Sequence, residues 1–117
     1  MAKNDYFVLV YYILKYLYHC LKNDEDIKVG IVMLEEYPAY IEESYAAYVL
    51  KSMQEEGYIK GVDIINVSSL GVGKKSMIKS VNNIEITPKG IEFLLENSLM
   101  TKAYESLKKF KEAIPFI

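Results

Sequence analysis

Leu50–Val62 reads LKSMQEEGYIKGV, and within these residues the period of the chain changes. Upstream, in IEESYAAYVLKSMQEEG, the apolar residues Tyr45, Ala46, Val49, Leu50 and Met53 recur at helical spacing and form one face. Glu42 and Glu43 suit the positive end of that helix, and Gly57 supplies its stop. From Tyr58 onward the pattern is β-rich: YIKGVDIINV and SMIKSVNNIEI flank a connection, Ser68 to Lys75, that carries glycine and serine. The two runs are read as the strands of a hairpin.

Working outward, TPKGIEFLLEN begins a helix with Thr87 as N-cap and Pro88 at the first helical position. Ile91, Leu94 and Leu95 would face inward. A last helix is expected from about Leu99 to Ile114, with Ala103, Leu107, Phe110 and Ile114 on one stripe. Upstream of the opening stretch, Ile31 to Tyr37 suggests a short helix that ends before Pro38. DYFVLVYYILKYLYHCLK, residues 5–22, places Tyr6, Val10, Ile13, Leu14, Leu17 and Leu21 at helical spacing. Its other side carries Tyr11, Tyr12, Tyr16 and Tyr18 where charges are usual, so the helix is greasy on most of its circumference. In so small a domain the second side is expected to meet another subunit, making these tyrosines a dimer interface. A solvent face that tolerates tyrosine is the other reading.

The order is three helices, a hairpin and two more helices. This is an α+β, mainly helical chain with the plan of a winged helix-turn-helix. The 117 residues suffice for one domain, taken as residues 1–117, and for one core. The single Cys20 excludes an internal disulfide, and its apolar neighbours point to a buried, inert thiol. His19, the only histidine, is adjacent in sequence and so about 100° away on a helix. One histidine and one cysteine make neither a catalytic pair nor a structural zinc site, and no metal or cofactor is implied. The apolar N-terminal run is interrupted by Lys15, lacks a cleavage site and is too short to span a bilayer. A cytoplasmic protein with no membrane partner is expected.

The motifs Glu56-Gly57-Tyr58-Ile59, Thr87-Lys89-Gly90 and Lys102-Ala103-Tyr104 carry a resemblance. The first two are similar to winged-helix proteins generally. With MTKAYESLKKFKEAI added, the chain from about Tyr6 to Ala113 resembles the YjcQ-like family of small phage and prophage proteins. The resemblance implies a winged-helix fold and DNA binding of the kind transcriptional regulators show. These motifs cap and pack; they carry no chemistry.

The connection LGVGKKS, Leu70–Ser76, invites comparison with a phosphate-binding loop. Ser68 stands where the first glycine of that motif belongs, Lys75 where its Ser or Thr belongs, and a strand follows instead of a helix. Lys74, Lys75 and Lys79 therefore lie on or beside a protruding wing. Either they contact a DNA phosphate backbone, or they are a solvated turn that discourages edge pairing. On the helix before the wing, the outward face would show Glu43, Ala47, Tyr48, Lys51 and Ser52, of which Tyr48, Lys51 and Ser52 are the candidates for a DNA groove. Glu42 and Glu43 oppose that role, since they would face phosphates, and a cap-and-dipole function accounts for them. The net charge is −2, with 5 lysines and 10 acids in residues 1–57, 9 lysines and 6 acids in residues 58–117, and no arginine. The adjacent pairs Glu35–Glu36, Glu42–Glu43 and Glu55–Glu56 diverge on helices, so no enzyme site is expected. The expected function is DNA binding, with double-stranded DNA as partner and a homodimer as the working state. The alternative is a protein-protein interaction module that keeps the fold without binding DNA. An acidic or apolar groove between the helix and the wing would favour the alternative.

Overall fold

The computed structural model describes residues 5–69 and 72–97. Four helices and four strands follow one another: α1 (Tyr6–Asn23), α2 (Val29–Val32), α3 (Glu43–Glu55), β1 (Ile59–Lys60), β2 (Asp63–Ser69), β3 (Val72–Ser80), β4 (Glu85–Ile86) and α4 (Pro88–Glu96). The architecture is α+β, with two small antiparallel sheets, β1–β4 and β2–β3. The helix expected over Leu99–Ile114 and its apolar stripe lie outside the described residues.

α1 is the centre of the core. Val8, Leu9, Val10, Tyr11, Tyr12, Ile13, Leu14, Tyr16, Leu17 and Cys20 are all buried, which leaves little of the helix surface to solvent. α3 contributes Ala46, Val49, Leu50 and Met53 to the same cluster, and Ile59, Val81, Ile84, Ile86 and Leu94 close it from the strands and α4. Removing such a side chain costs about 2–5 kcal/mol. α1 ends at Asp24, which adopts a left-handed conformation (φ 51°) while the Glu25 amide donates to the Cys20 carbonyl.

α2 is shorter than the run Ile31 to Tyr37 suggests. It stops after one turn because Leu34 takes φ 64°, and the amides of Glu35 and Leu34 donate back to the carbonyls of Gly30 and Ile31. Leucine rarely tolerates that backbone, and burial of its side chain offsets the cost. Tertiary packing, not Pro38, ends this helix.

α3 ends where the sequence says. Gly57 takes φ 83°, its amide donates to Gln54 and that of Tyr58 to Met53. The chain then turns directly into β1. Thr87 joins this turn to the start of α4: its hydroxyl donates to the Gly57 carbonyl at 2.5 Å and accepts from the Gly90 amide at 3.1 Å. The Thr87 amide donates to the Tyr58 carbonyl. α4 comes so close that a side chain at Gly90 would strike the Tyr58 carbonyl.

Each strand run expected from sequence is divided in two. Gly61 (φ 84°) separates β1 from β2, and the turn at Asn82 and Asn83 separates β3 from β4. The inner pieces pair as Ile59 with Ile86 and Lys60 with Glu85. The outer pieces form a longer ribbon in which Ile64 faces Ile78, Ile65 faces Met77 and Val67 faces Lys75. Register shifts between Asp63 and Ile64 and between Val67 and Ser69 bend it. The Gln54 side chain holds the ribbon to α3, accepting from the Val62 amide at 2.8 Å and donating to its carbonyl at 2.9 Å.

Candidate functional site

α3 presents one edge to solvent, between a groove on the hairpin side and a cleft on the α1 side. The charges of this helix and its caps are Glu42, Glu43, Lys51, Glu55 and Glu56, four carboxylates and one ammonium, so the segment carries −3. Carboxylates at the first turn complement the helix dipole; those at the last turn oppose it, and their cost is small because both are exposed.

The groove lies between α3 and β3. Met33, Ala47, Met77 and Ile78 supply apolar walls, and Glu42, Glu43 and Ser44 form its polar edge. Ala47, expected on the outward face, is buried at the bottom of this contact. The hairpin supplies the missing wall: Met77 stands opposite Ile65 in register, and both remain substantially exposed. Nearby, the Tyr40 hydroxyl donates to the Glu42 carboxylate at 3.1 Å, and that bond raises its pKa above the ordinary tyrosine value.

The cleft lies on the other flank. Tyr6, Phe7, Tyr45, Tyr48, Ser52, Glu56 and Tyr58 enclose an open volume of about 430 Å³. Tyr6 and Tyr48 meet edge to face with ring centroids 6.2 Å apart, and Tyr45 stacks on Tyr48 at 6.5 Å. Phe7 packs against Tyr6 at 5.0 Å and stacks towards Phe93, whose ring meets Tyr58 at 4.9 Å. The Tyr6 hydroxyl and Ser52 Oγ are 2.6 Å apart, which fixes the Tyr6 ring against α3. Burial raises the Tyr6 pKa, so the phenol stays neutral.

The residues named from sequence therefore scatter. Tyr48 is exposed, as expected, but it belongs to the cleft. Ser52 is half-buried and bonded to α1, so it is not offered to a groove. Lys51 is half-buried in a hollow shared with Tyr48, Ser52, Glu55 and Glu56. Lys74 and Lys75 fall within β3 and not in the connection, because the ribbon extends to Ser69 and resumes at Val72. Lys79, further along the same strand, is exposed.

The tyrosines assigned to a subunit interface have a different setting. Tyr11, Tyr12 and Tyr16 are buried within the chain itself, and Tyr18 is half-buried with Lys22 Nζ 4.3 Å from its ring centroid. The Tyr12 ring packs edge to face on Tyr37 at 4.8 Å, and the Tyr16 hydroxyl accepts from the Lys28 amide at 2.7 Å. The second greasy side of α1 is thus covered by its own chain. Cys20 is buried, and burial raises its thiol pKa. His19 bonds to Glu25 at 3.0 Å.

Sequence reasoning missed the cleft as a unit. The apolar pattern assigns Tyr45 to the inward face of α3 and Tyr48 to the outward one, and nothing local says that Tyr6 and Phe7 arrive beside them. Among the described residues no group of histidine, cysteine or carboxylate side chains is arranged to hold a metal ion, and no helix is long and apolar enough to cross a membrane.

The model of the family described as YjcQ protein matches residues 11–113. No curated protein and no solved structure matches the chain.

Proposed function

The chain belongs to the YjcQ family, and on that premise we propose that it is a winged-helix module that recognises a protein partner through α3 and the hairpin. The order α1, α2, α3, ribbon, α4 supports the winged-helix part, with α2–α3 as the helix-turn-helix and β2–β3 as the wing. α2 is a single turn, shorter than the usual first helix of that motif. The observation that carries the functional part is the groove: where a DNA reader needs positive potential, this one has an apolar floor with Glu42 and Glu43 at its edge. Methionines on two sides let it adapt to an apolar side chain, and the carboxylates favour a partner with basic residues beside it. A second copy of this chain is one such partner.

One observation favours a second reading. Lys79 is exposed on β3, and Lys74 and Lys75 share that strand, so the wing could touch a phosphate backbone beside the acidic helix. Two measurements separate the readings. Photo-crosslinking residues placed at Ser44 and Met77 in cells of the native host should give a discrete adduct, absent when the same group is placed at exposed Leu21 on α1. An adduct at twice the chain mass would identify a homodimer. Anisotropy of mixed-sequence duplex DNA should stay flat at low salt. Salt-dependent DNA binding that Lys74→Glu/Lys75→Glu/Lys79→Glu abolishes, with no groove-specific adduct, would overturn the protein reading in favour of DNA.

A further inference from the structure

The cleft between the first turn of α1 and the flank of α3 from Tyr45 to Ser52 is not used by the groove, and its chemistry is distinct. We infer that it binds a cationic side chain, a lysine or arginine presented by a basic peptide segment of a protein partner. Three observations converge. The first is the density of rings: Tyr6, Phe7, Tyr45, Tyr48 and Tyr58 line one open volume of about 430 Å³. Tyr48 is 59% exposed and Phe7 51% exposed, so neither is held there by the core.

The second is geometry. Tyr6 and Tyr48 are inclined at 62° with centroids 6.2 Å apart, so the two rings meet at a corner instead of stacking. Ser52 pins the hydroxyl of Tyr6 at 2.6 Å, so that corner is set before anything enters it. An ammonium or guanidinium near such faces is drawn by the negative quadrupole of each ring. The third is charge. Glu56 lines the cleft, and the adjoining hollow holds Lys51 beside Glu55 and Glu56, so the three together carry −1 and a cation in the cleft meets the Glu56 carboxylate as well as the rings. One of the lining rings already has an ammonium beside it: Lys89 Nζ stands 5.6 Å from the Tyr58 ring centroid, which leaves Tyr6, Tyr45 and Tyr48 for an incoming cation.

The same charge argues against a nucleic acid here. Bases stack on exposed tyrosines, but they bring phosphates that need a positive groove, and these walls carry Glu56. Arginine and lysine differ from a nucleotide in arriving with the sign opposite to Glu56.

The test uses the full chain and three labelled probes followed by fluorescence anisotropy: a lysine-rich peptide, the same peptide fully acetylated, and oligothymidine. The lysine peptide should bind at low salt and the acetylated one should not. Tyr48→Ala should weaken binding by between about threefold and thirtyfold, while Tyr48→Phe, which keeps the ring, should retain it. Glu56→Gln should weaken binding and flatten its salt dependence. Both sites are exposed, and circular dichroism verifies that the variants fold. Leu21→Ser, exposed on α1 and in neither site, should leave the titration unchanged. Binding lost in Met77→Ser but kept in Tyr48→Ala would assign the peptide to the groove and overturn the inference, so failure of the cleft and failure of the groove are separable. No binding of the lysine peptide, equal binding of its acetylated form, indifference to both Tyr48→Ala and Glu56→Gln, or a preference for oligothymidine would each overturn the inference.

Discussion

The base of the hairpin and its outer ribbon are continuous in sequence but held by different means. At the base, β1 and β4 pair over only two residues each, and residues with few substitutes complete the joint: Gln54 bonds both backbone groups of Val62, and Thr87 bridges Gly57 and Gly90. Gly61 passes so close to Asn83 that a β-carbon there would overlap its carbonyl oxygen. The ribbon is held chiefly by its own ladder. It is a two-stranded ladder with two register shifts, and it leaves Ile65 and Met77 exposed. A two-stranded ribbon is marginal in isolation, so its direction must come from its base. Among the described side chains, the specific contacts gather at the base, while Ile65, Met77 and Lys79 of the ribbon stay exposed.

That contrast can be broken from either end. The broadest effect should come from alkali, which attacks the core beneath both regions. Burial raises the pKa of Tyr16 to about 12, against an ordinary tyrosine value near 10, and raises those of Tyr12 and Tyr37 as well. Between these values the unfolded chain has released protons that the folded chain retains, so stability falls as pH rises through roughly 10 to 12 and is fully present below that window. Thermal midpoints followed by circular dichroism from pH 8 to 12 should decline, with helix and ribbon signals lost together. A flat profile would contradict the burial of these phenols.

Next in size, Gly61→Ala should cost roughly 2–5 kcal/mol, combining a strained left-handed alanine with overlap on Asn83. Urea titration measures it, and a loss under 1 kcal/mol would show that the base yields easily. Gln54→Ala should cost about 1–3 kcal/mol by leaving both Val62 groups without their partners. Hydrogen exchange should then quicken in the ribbon more than in α1; uniform quickening would deny the base its aiming role. At the small end, Met77→Ser should shift stability by no more than about 0.5 kcal/mol, as for a surface site. A larger loss would mean that the ribbon's exposed face is itself structural.

Much of this was legible locally. The stop at Gly57, the Thr87 cap with Pro88 behind it, and the change of period at Tyr58 are backbone preferences that a residue carries wherever it stands. The lengths of the strands were less legible, because β pairing is settled by the partner: Lys74 and Lys75 look like connection residues until the opposite strand extends to Ser69. The tyrosines of α1 show the same limit. Tyr11, Tyr12 and Tyr16 alternate with aliphatic residues in a pattern compatible with a second subunit, with solvent or with the chain's own core.

By itself the sequence determined the order of the helices and the hairpin from α1 to α4, the two helix boundaries at Gly57 and Thr87, the burial of Cys20 and the acidity of α3. Each depends on residue type and on neighbours a few positions away. Only the tertiary structure decided what those elements face. It turned Tyr11, Tyr12 and Tyr16 inward, split the strand runs at Gly61 and at Asn82–Asn83, and brought Tyr6 and Phe7 alongside Tyr45 and Tyr48. Contacts between residues forty positions apart depend on how whole faces bury one another, and side-chain period records that a face is apolar without recording what covers it.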